Sequence, residues 1–334
     1  MQGDIVVSIV CLAYNHGKYI RQALEGFVSQ ETDFPFEVVI HDDASTDDTA
    51  GIIREFEQKY PEIIRPIYQT QNQFSLRASV KKDFMLPLIR GEFVAVCEGD
   101  DYWTDRQKLK KQVDMMRRHE NCSMCVHKVA EVFEDGMPDG VTFPDFALEE
   151  GVLSSRRFFE IGREYSFHTS SYFFRGDQYR GYVGNPPEFV GKCDVGDEPY
   201  MLYFGQLGDV YYIDETMSCY RRGVAGSWSG RNRTNVGKLI HHGNAMIETL
   251  KSFDSYTENR FHDICVQRIS RQMAITAVLE KNTAIVLKKE NAEYYRCLSK
   301  SQKLFILLGT IMPGLMQKIY IYRITALSKK RGVV

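Results

Sequence analysis

The sequence predicts an α/β fold, a mostly parallel sheet flanked by helices, with a helical C-terminal extension. Three observations support this class. Short apolar runs rich in β-branched residues recur through the first two thirds of the chain. The segments between the first runs carry apolar residues at helical spacing. Beyond residue 235 the helical pattern continues without strand-like runs.

The first half alternates strands and helices. The run "IVVSIVCLAY" (residues 5–14) is almost wholly apolar, which is typical of a strand buried on both faces. The next segment predicts an amphipathic helix, with one apolar face formed by Ile20, Ala23, Leu24, Phe27 and Val28. The remaining predictions are strands at 36–40, "IIRPIYQ" and "GEFVAVCEGDD", with helices at "STDDTAGIIREFEQKY" and 76–90.

The second half is less regular. A Gly-, Pro- and Asp-rich stretch at 134–152 predicts a loop, and "CDVGDEPYMLYFGQLG" predicts an acidic loop that opens a helix. The other predictions are a helix at 104–120, strands at 122–133, 168–175 and 210–221, and helices through 236–299.

Composition limits the function classes. The 334-residue chain has a net charge of −2, but its first 293 residues carry 34 basic and 44 acidic side chains, so an acidic body precedes a basic tail. This distribution argues against nucleic-acid binding. Eight irregularly spaced cysteines indicate reduced thiols in a cytosolic protein, although "CSMC" followed by His127 is an incomplete zinc pattern. No signal peptide and no apolar run of about eighteen residues is found.

Acidic clusters follow two of the predicted strands. Asp42 and Asp43 end one strand, and Glu98, Asp100 and Asp101 follow another. Ligands of parallel sheets bind at the carboxyl ends of the strands. Close carboxylates repel each other unless a cation compensates, and oxygen ligands suit Mg²⁺ or Mn²⁺ with a bound diphosphate. The alternative is a solvated acidic turn without an ion.

The ends of the first two strands each have two interpretations. "HDDAS" either caps the next helix or directs one aspartate at a polar ring or ribose hydroxyl. "AYNH" is either a strand-end turn or a turn that presents Tyr14 for stacking on a base.

Three segments together resemble a known family: "VSIVCLAYNHGKYIRQALEGFVSQ", "FEVVIHDDASTDDTAGII" and "GEFVAVCEGDDYW". They are similar, in order and spacing, to the nucleotide-sugar-binding half of the inverting family 2 glycosyltransferases, which have the GT-A fold. The resemblance extends more weakly through "HTSSYFFR", "VGDEPYM" and "CYRRGVAGSWS". It implies a glycosyltransferase domain at 1–235, with a donor half at 1–115 and an acceptor half at 116–235, followed by a helical region at 236–334.

The resemblance also implies roles for residues at the donor site. "EGDD" would be the family's DXD element, in which Asp100 is the main metal and diphosphate ligand and Glu98 and Asp101 contact the ribose or support the ion. Where this chain has Glu98 the family usually has Asp. Nucleobase and donor contacts would come from Leu12, Tyr14, Asn15, Asp42 and Asp43.

Asp197 in "VGDEPY" matches the family's catalytic base, which would take the proton from the acceptor hydroxyl during a single, inverting displacement. Asp194 and Glu198 are the alternative bases and candidate acceptor-pocket residues. From the residues alone, the favoured interpretation of Asp197 is a helix N-cap before "EPYMLYFG".

The loop "YRRGVAGSWS" has a composition that can close over a diphosphate. Relatives often carry a histidine near Gly223, which this sequence lacks, so closure would depend on Arg221, Arg222 and Ser227. Trp228 is either part of the sugar pocket or core. His168 is at the position of a histidine that relatives often have on the acceptor side, or it is structural.

The tail has an apolar stretch at 304–316, interrupted by Gly309 and Pro313 and flanked by lysine and arginine. It is too short to span a bilayer, and it suits a segment lying in an anionic membrane surface. The alternatives are a terminal helix packed on the domain and a homodimer contact.

The resulting hypothesis is a metal-dependent (Mn²⁺ or Mg²⁺) inverting glycosyltransferase, cytoplasmic and peripheral at the inner face of the cell membrane. It would move a sugar from a nucleotide sugar, with UDP expected, to a saccharide or lipid-linked acceptor of a surface polysaccharide or glycoconjugate. A nucleotidyltransferase-like enzyme is the first alternative, but the "AYNHGKY" turn has only one Gly and one Lys for a phosphate loop. A non-catalytic GT-A scaffold is the second, although the acidic strand ends are retained.

Overall fold

A computed structural model describes residues 4–76, 79–161, 166–224 and 235–330. The chain forms two compact units. The sheet unit comprises Met1–Pro186 and Tyr200–Arg222, and the helical unit comprises Pro187–Pro199 and Gly223–Val334. The short segment 187–199, which contains Asp197, therefore belongs with the helices. The domain boundary predicted at residue 235 stays a prediction.

The sheet unit is built on one sheet, which has ten strands in the described part of the chain, in the order β3-β2-β1-β4-β9-β6-β10-β5, with β7 on β6 and β8 on β10. The strands are β1 Val7–Ala13, β2 Phe36–Asp42, β3 Ile64–Tyr68, β4 Phe93–Val96, β5 Tyr102–Trp103, β6 Cys122–Val132, β7 Pro138–Phe143, β8 Gly151–Leu153, β9 Phe173–Arg175 and β10 Asp209–Arg221.

The helices accompany these strands in the first two thirds of the chain and then continue alone. They are α1 Ile20–Val28, α2 Thr49–Lys59, α3 Lys108–Arg118, α4 Ser155–Ile161, α5 Gly176–Gly184, α6 Glu198–Leu207, α7 Val236–Tyr256, α8 His262–Leu279, α9 Ala292–Cys297, α10 Lys300–Ile311 and α11 Pro313–Lys330.

The first four strands pair in parallel, which places their carboxyl ends at one edge. β1 lies between β2 and β4, and its last residue, Ala13, is in register with Asp42. β3 pairs with β2 in parallel, and β10 with β6. The β4–β9 and β6–β9 pairs are antiparallel, so the sheet is mixed beyond β4.

The predicted apolar faces form the core of the sheet unit. Ile20, Ala23, Leu24 and Phe27 of α1 are fully buried in one cluster with the alternate residues of β1 and β2. Because β1 and β2 are buried on both faces, their sequences are largely apolar and do not alternate between polar and apolar residues. This packing holds the strand ends, and the loops that follow them, at defined positions.

Two segments differ from the predictions. Residues 134–152, predicted as a loop, contain β7 and β8, which hydrogen-bond to β6 and β10. Residues 76–90, predicted as a helix, contain only a π-helical turn at Lys81–Met85 and a 3₁₀ turn at Leu86–Leu88 within the described residues. Pro87 lacks the N–H that an α-helix would need there.

The helical unit has its own core. α7 and α8 pack along each other, and a second apolar cluster joins Ala277 and Val278 of α8 to Ile306 of α10. The short 3₁₀ turn at Glu188–Lys192 packs on α7, where Phe189 meets Phe253 edge to face with ring centroids 5.4 Å apart. The segment that carries Asp197 follows directly from this anchor.

Candidate functional site

The loops after β1, β2 and β4 are joined by backbone hydrogen bonds at one edge of the sheet. The Asp43 N–H donates to the Ala13 carbonyl (3.0 Å), and the Gly99 N–H donates to the Leu12 carbonyl (2.9 Å). These bonds bring the polar ends of the three strands together. The predicted donor residues of the sheet unit therefore share one edge, as the parallel order of the strands requires.

The β1 loop is shaped by Asn15, which has a positive φ of 55°. Its N–H donates to Ser45 Oγ (2.9 Å), and its side-chain oxygen accepts the Thr46 N–H (2.8 Å). Asn is among the few residues that adopt this backbone region at small cost. The turn leaves the neighbouring Tyr14 side chain 46% exposed at the sheet edge.

The acidic turn after β4 depends on a glycine. A Cβ at Gly99 would lie 2.7 Å from Ile20 Cδ1 and 2.9 Å from His16 Nδ1, so a side chain does not fit. Burial, aided by the neighbouring Asp100 charge, raises the pKa of Glu98 to about 6. The same causes raise the pKa of Asp101 well above its usual range. The turn thus concentrates negative charge at a free-energy cost that a bound cation would offset.

Arg221 makes several hydrogen bonds beneath this turn. Its backbone N–H donates to Asp101 Oδ1 (2.9 Å), and its Nε donates to the Asp100 carbonyl (3.1 Å). The two Nη atoms donate to the Glu134 carbonyl (2.9 Å) and to Gln22 Oε1 (2.7 Å). The guanidinium is buried, and it lies over the rings of two tyrosines, Tyr19 and Tyr102.

Arg222, the second predicted diphosphate ligand, is also buried. Its Nη1 lies 2.5 Å from Glu131 Oε1 and its Nη2 lies 3.1 Å from Asp139 Oδ2, both on the β6–β7 hairpin. Because these partners already engage the two guanidinium groups, Arg221 and Arg222 are placed to support the site from within the fold. Ser227 and Trp228, predicted in the same loop, lie outside the described residues.

The two aspartates at the end of β2 have different surroundings. Asp43 accepts the backbone N–H groups of Gln73 (2.7 Å) and Phe74 (3.1 Å), so its carboxylate anchors the following loop. Asp42 is buried, and within the described part of the chain its Oδ1 has no hydrogen-bond partner. An unpaired buried carboxylate oxygen is costly, and a ligand would relieve that cost.

His168 lies beside the acidic turn, with Nδ1 3.7 Å from Asp101 Oδ2. Burial lowers the pKa of His168 to about 3, so the ring is neutral. Nδ1 accepts the Ser170 N–H (3.3 Å), which leaves the proton on Nε2. The ring packs on Tyr220, with centroids 4.3 Å apart.

Asp197 belongs to the helical unit, where its acidic neighbours have cationic or imidazole partners. Asp194 Oδ1 lies 2.7 Å from His242 Nδ1 on α7, and Glu198 pairs with Arg268 on α8. Asp197 Oδ1 accepts only the Glu198 N–H (3.0 Å) among the described hydrogen bonds. Its carboxyl is partly accessible but densely surrounded, so burial, with the charge of Glu198, raises the pKa of Asp197 to about 6.

The comparisons with known proteins agree with this geometry. The model of glycosyl transferase family 2 matches residues 8–176, which is about half of the chain and includes all four parallel strands at the site edge. The chain belongs to glycosyl transferase family 2. An uncharacterised protein of Mycobacterium tuberculosis (strain H37Rv) is 38% identical over 252 residues, which is 74% of this chain and 67% of the relative.

Two further comparisons carry functional names. The putative teichuronic acid biosynthesis glycosyltransferase TuaG of Bacillus subtilis is 30% identical over 133 residues, 40% of this chain and 50% of that protein. The crystal structure of Staphylococcus aureus TarS 1–349 in complex with UDP matches with a TM-score of 0.58 at 16% identity, covering 98% of this chain and 92% of that one. At this identity the likeness shows the fold, and it confirms the predicted α/β class and GT-A architecture.

Two site residues of this glycosyltransferase escaped the sequence analysis. Lys81, on the π-helical turn, donates from Nζ to the Tyr200 hydroxyl (2.8 Å) and its positive charge lowers the pKa of Glu98 against the effect of burial. His16 places Nε2 4.0 Å from Asp100 Oδ2. His16 is the last residue of the quoted "AYNH" turn, and this position was the only signal that the sequence offered for it, whereas Lys81 had none.

For this glycosyltransferase we expect Arg221→Met to destabilise the sheet unit by about 2 kcal/mol, because it removes three partly buried hydrogen bonds that the guanidinium makes. Arg117→Met is the matched control, since Arg117 forms an exposed ion pair with Glu92 and should cost less than about 1 kcal/mol. Denaturant unfolding followed by tryptophan fluorescence would measure both. If both variants lowered the free energy of unfolding equally, the hydrogen bonds of Arg221 would contribute no more than one exposed ion pair.

Proposed function

We propose that this glycosyltransferase moves a sugar, with inversion, from a UDP-sugar to a saccharide or lipid-linked acceptor of a cell-surface polysaccharide. The observation that carries the proposal is the shared sheet edge at which Tyr14, Asp42 and the Glu98–Asp101 turn meet. A nucleoside diphosphate needs an aromatic or polar surface for its base, acceptors for its ribose and a cation site for its phosphates, and this edge offers all three.

The choice of UDP rests on likeness. The TarS fragment has been solved with UDP and with UDP-GlcNAc, and TarS of Staphylococcus aureus is named a poly(ribitol-phosphate) β-N-acetylglucosaminyltransferase. TuaG is named for teichuronic acid biosynthesis. Both names concern polymers of the cell surface, and this supports the same substrate class here.

We assign the donor contacts from the described partners of each side chain. Asp42 is proposed to accept a hydrogen bond from the nucleobase or ribose through its unpaired oxygen, and Tyr14 to stack on the base. Asp43 is proposed to position the loop that follows β3, because its carboxylate is engaged by that loop. Leu12 and Asn15 hold the β1 turn against its neighbours.

The residues of the acidic turn suit a divalent cation. Within the described residues no group of three or more His, Cys, Asp or Glu side chains is arranged so that it could hold a metal ion. Mg²⁺ and Mn²⁺ sites commonly complete one or two carboxylates with substrate phosphates and water, so we propose a site that is completed only when the donor binds. Asp100 would be the main ligand, supported by Glu98 and Asp101. The bound ion would neutralise charge on the leaving diphosphate.

The chain's own residues are proposed to supply positioning and proton transfer. Asp197 accepts the proton of the acceptor hydroxyl while that oxygen forms its bond to the anomeric carbon. The bond from the anomeric carbon to the diphosphate oxygen breaks with its electron pair leaving on UDP. A single displacement of this kind inverts the anomeric centre. His168, neutral with its proton on Nε2, is proposed to donate a hydrogen bond on the acceptor side.

The test is thermal unfolding in the presence of UDP, GDP, dTDP or CMP, each with and without Mn²⁺. We expect UDP with metal to raise the midpoint, since a ligand at 100 times its dissociation constant stabilises the folded state by about 2.7 kcal/mol. Asp42→Ala, which removes the proposed acceptor oxygen, should remove most of the shift. Asp33→Asn, at an exposed carboxylate paired with Lys110, should keep it.

The outcomes separate the alternatives. If GDP or dTDP raises the midpoint instead of UDP, the proposed glycosyl transfer is retained and the donor is a GDP- or dTDP-sugar. If no nucleotide changes the midpoint under any condition, the chain is a non-catalytic scaffold and the proposal fails.

A further inference from the structure

The last two helices, α10 and α11, each pack with one side against the rest of the helical unit. Ile306 of α10 and Met316 of α11 are buried, and a Cβ at Gly309 would lie 2.6 Å from Thr283 Cγ2. Gln317 donates from Nε2 to the Leu279 carbonyl at the end of α8. These contacts fix the orientation of both helices, so their outer faces are defined surfaces.

The outer faces are apolar and exposed. On α10, Leu304, Leu307 and Ile311 recur at helical spacing, and each is at least 44% exposed. On α11 the same holds for Leu315, Ile319 and Tyr322, with exposures from 38% to 75%, and the exposed Met312 joins the two stripes. Monomeric soluble proteins rarely leave contiguous apolar surface of this kind in water.

The charged residues of the C-terminal segment itself all have one sign. Residues 294–334 contain eight Lys or Arg and no Asp or Glu. At about 100° per residue, the exposed Lys318 and Arg323 fall on opposite sides of the α11 stripe, and Lys300 falls near the α10 stripe. An apolar face with flanking cations is the arrangement of helices that lie in the plane of an anionic membrane.

We propose that the outer face of α10 and α11 binds the surface of a membrane containing anionic lipids. No helix in the described ranges is long and apolar enough to cross a bilayer. A second copy of the chain would cover the apolar stripes but would oppose two surfaces of the same positive charge. Anionic headgroups attract these lysines and arginines instead, while the acyl region accepts the leucines and isoleucines. The inference does not depend on the transfer reaction.

The experiment is co-sedimentation of the full chain with vesicles of phosphatidylglycerol and phosphatidylcholine, and with vesicles of phosphatidylcholine alone. We expect binding to the anionic vesicles only, weakened by raising the salt concentration. The double variant Ile311→Ser/Leu315→Ser should lower the partition coefficient at least about tenfold. Lys318→Glu/Arg323→Glu should lower it by a similar factor.

The matched control is Met137→Ser/Leu207→Ser, which removes two exposed apolar side chains of the sheet unit and should leave binding unchanged. Far-UV circular dichroism and the thermal midpoint check that each variant folds, as expected for exposed positions. An unchanged partition coefficient in the Ile311→Ser/Leu315→Ser variant would overturn the proposal. The absence of vesicle binding would also overturn the proposal. A dimer seen by light scattering that dissociates in Ile311→Ser/Leu315→Ser would then identify a second copy of the chain as the occupant of this face.

Discussion

Asp197→Asn should lower kcat about 1,000-fold while leaving UDP binding nearly unchanged. A positioned general base contributes roughly 100- to 10,000-fold, and asparagine keeps the shape of the side chain but cannot accept a proton. Its two acidic neighbours are held by His242 and Arg268, whereas the described contacts of the Asp197 carboxylate include no such partner. Release of UDP from the donor, with water in place of the unidentified acceptor, would measure turnover, and thermal stabilisation by UDP would measure binding.

The control is Asp194→Asn, which breaks the hydrogen bond to His242 but keeps Asp197. We expect this variant to lose less than about tenfold in kcat. If kcat fell as far as in Asp197→Asn, the catalytic base would be Asp194. Loss of UDP stabilisation in Asp197→Asn would show that this residue binds the donor or supports the fold.

The pH dependence of turnover should report the Asp197 carboxyl together with Glu98 of the acidic turn, whose pKa is also raised to about 6. Burial and the adjacent Glu198 raise the pKa of Asp197 to about 6. A base is active when deprotonated, so kcat/KM should be constant above this pH and fall tenfold per pH unit below it. An ordinary exposed aspartate would move the acid limb to about pH 4. An acid limb there would mean that a solvent-exposed carboxylate is the base.

The parallel half of the sheet was predictable because its signals are local. Strands buried on both faces are largely apolar, and the polar residues that follow parallel strands lie at one edge, so the positions of Asp42 and Asp100 followed from the sequence. β7 and β8 were missed because their sequences are short and contain Gly, and because they pair only at the margins of the sheet. Their strand conformation comes from hydrogen bonds to β6 and β10, which no local pattern encodes.

The partners of the site residues were not predictable, because they are distant in sequence. Arg221 bonds to Gln22, 199 residues earlier, and nothing near either residue indicates the pair. The composition of "YRRG" suggested two arginines free for phosphate, but whether an arginine is free depends on what the fold places around it. The difference between Asp42 and Asp43 has the same origin, since only the position of the 72–75 loop decides which carboxylate is engaged.

The two adjacent aspartates of the acidic turn also differ in their hydrogen-bond partners. We therefore expect their substitution to affect ligand binding and stability differently. Asp100→Ala should weaken metal-dependent UDP binding at least about 100-fold, because the side chain is 18% exposed and its nearest described ion-pair partner is the imidazole of His16, at 4.0 Å. The ligand-free thermal midpoint should stay or rise, since removing one of three close carboxylates relieves their repulsion. Thermal unfolding with and without UDP and Mn²⁺ measures both quantities.

Asp101→Ala is the matched substitution one residue later, and it should have the opposite signature. Asp101 is buried and accepts the Arg221 N–H, so its loss leaves a buried donor unpaired and lowers the free energy of unfolding by about 1–3 kcal/mol. The ligand-free midpoint should therefore fall in Asp101→Ala but not in Asp100→Ala. If Asp100→Ala also destabilised the ligand-free protein while UDP and metal still bound, the turn would be a structural acidic cluster, and the diphosphate would have to be held elsewhere.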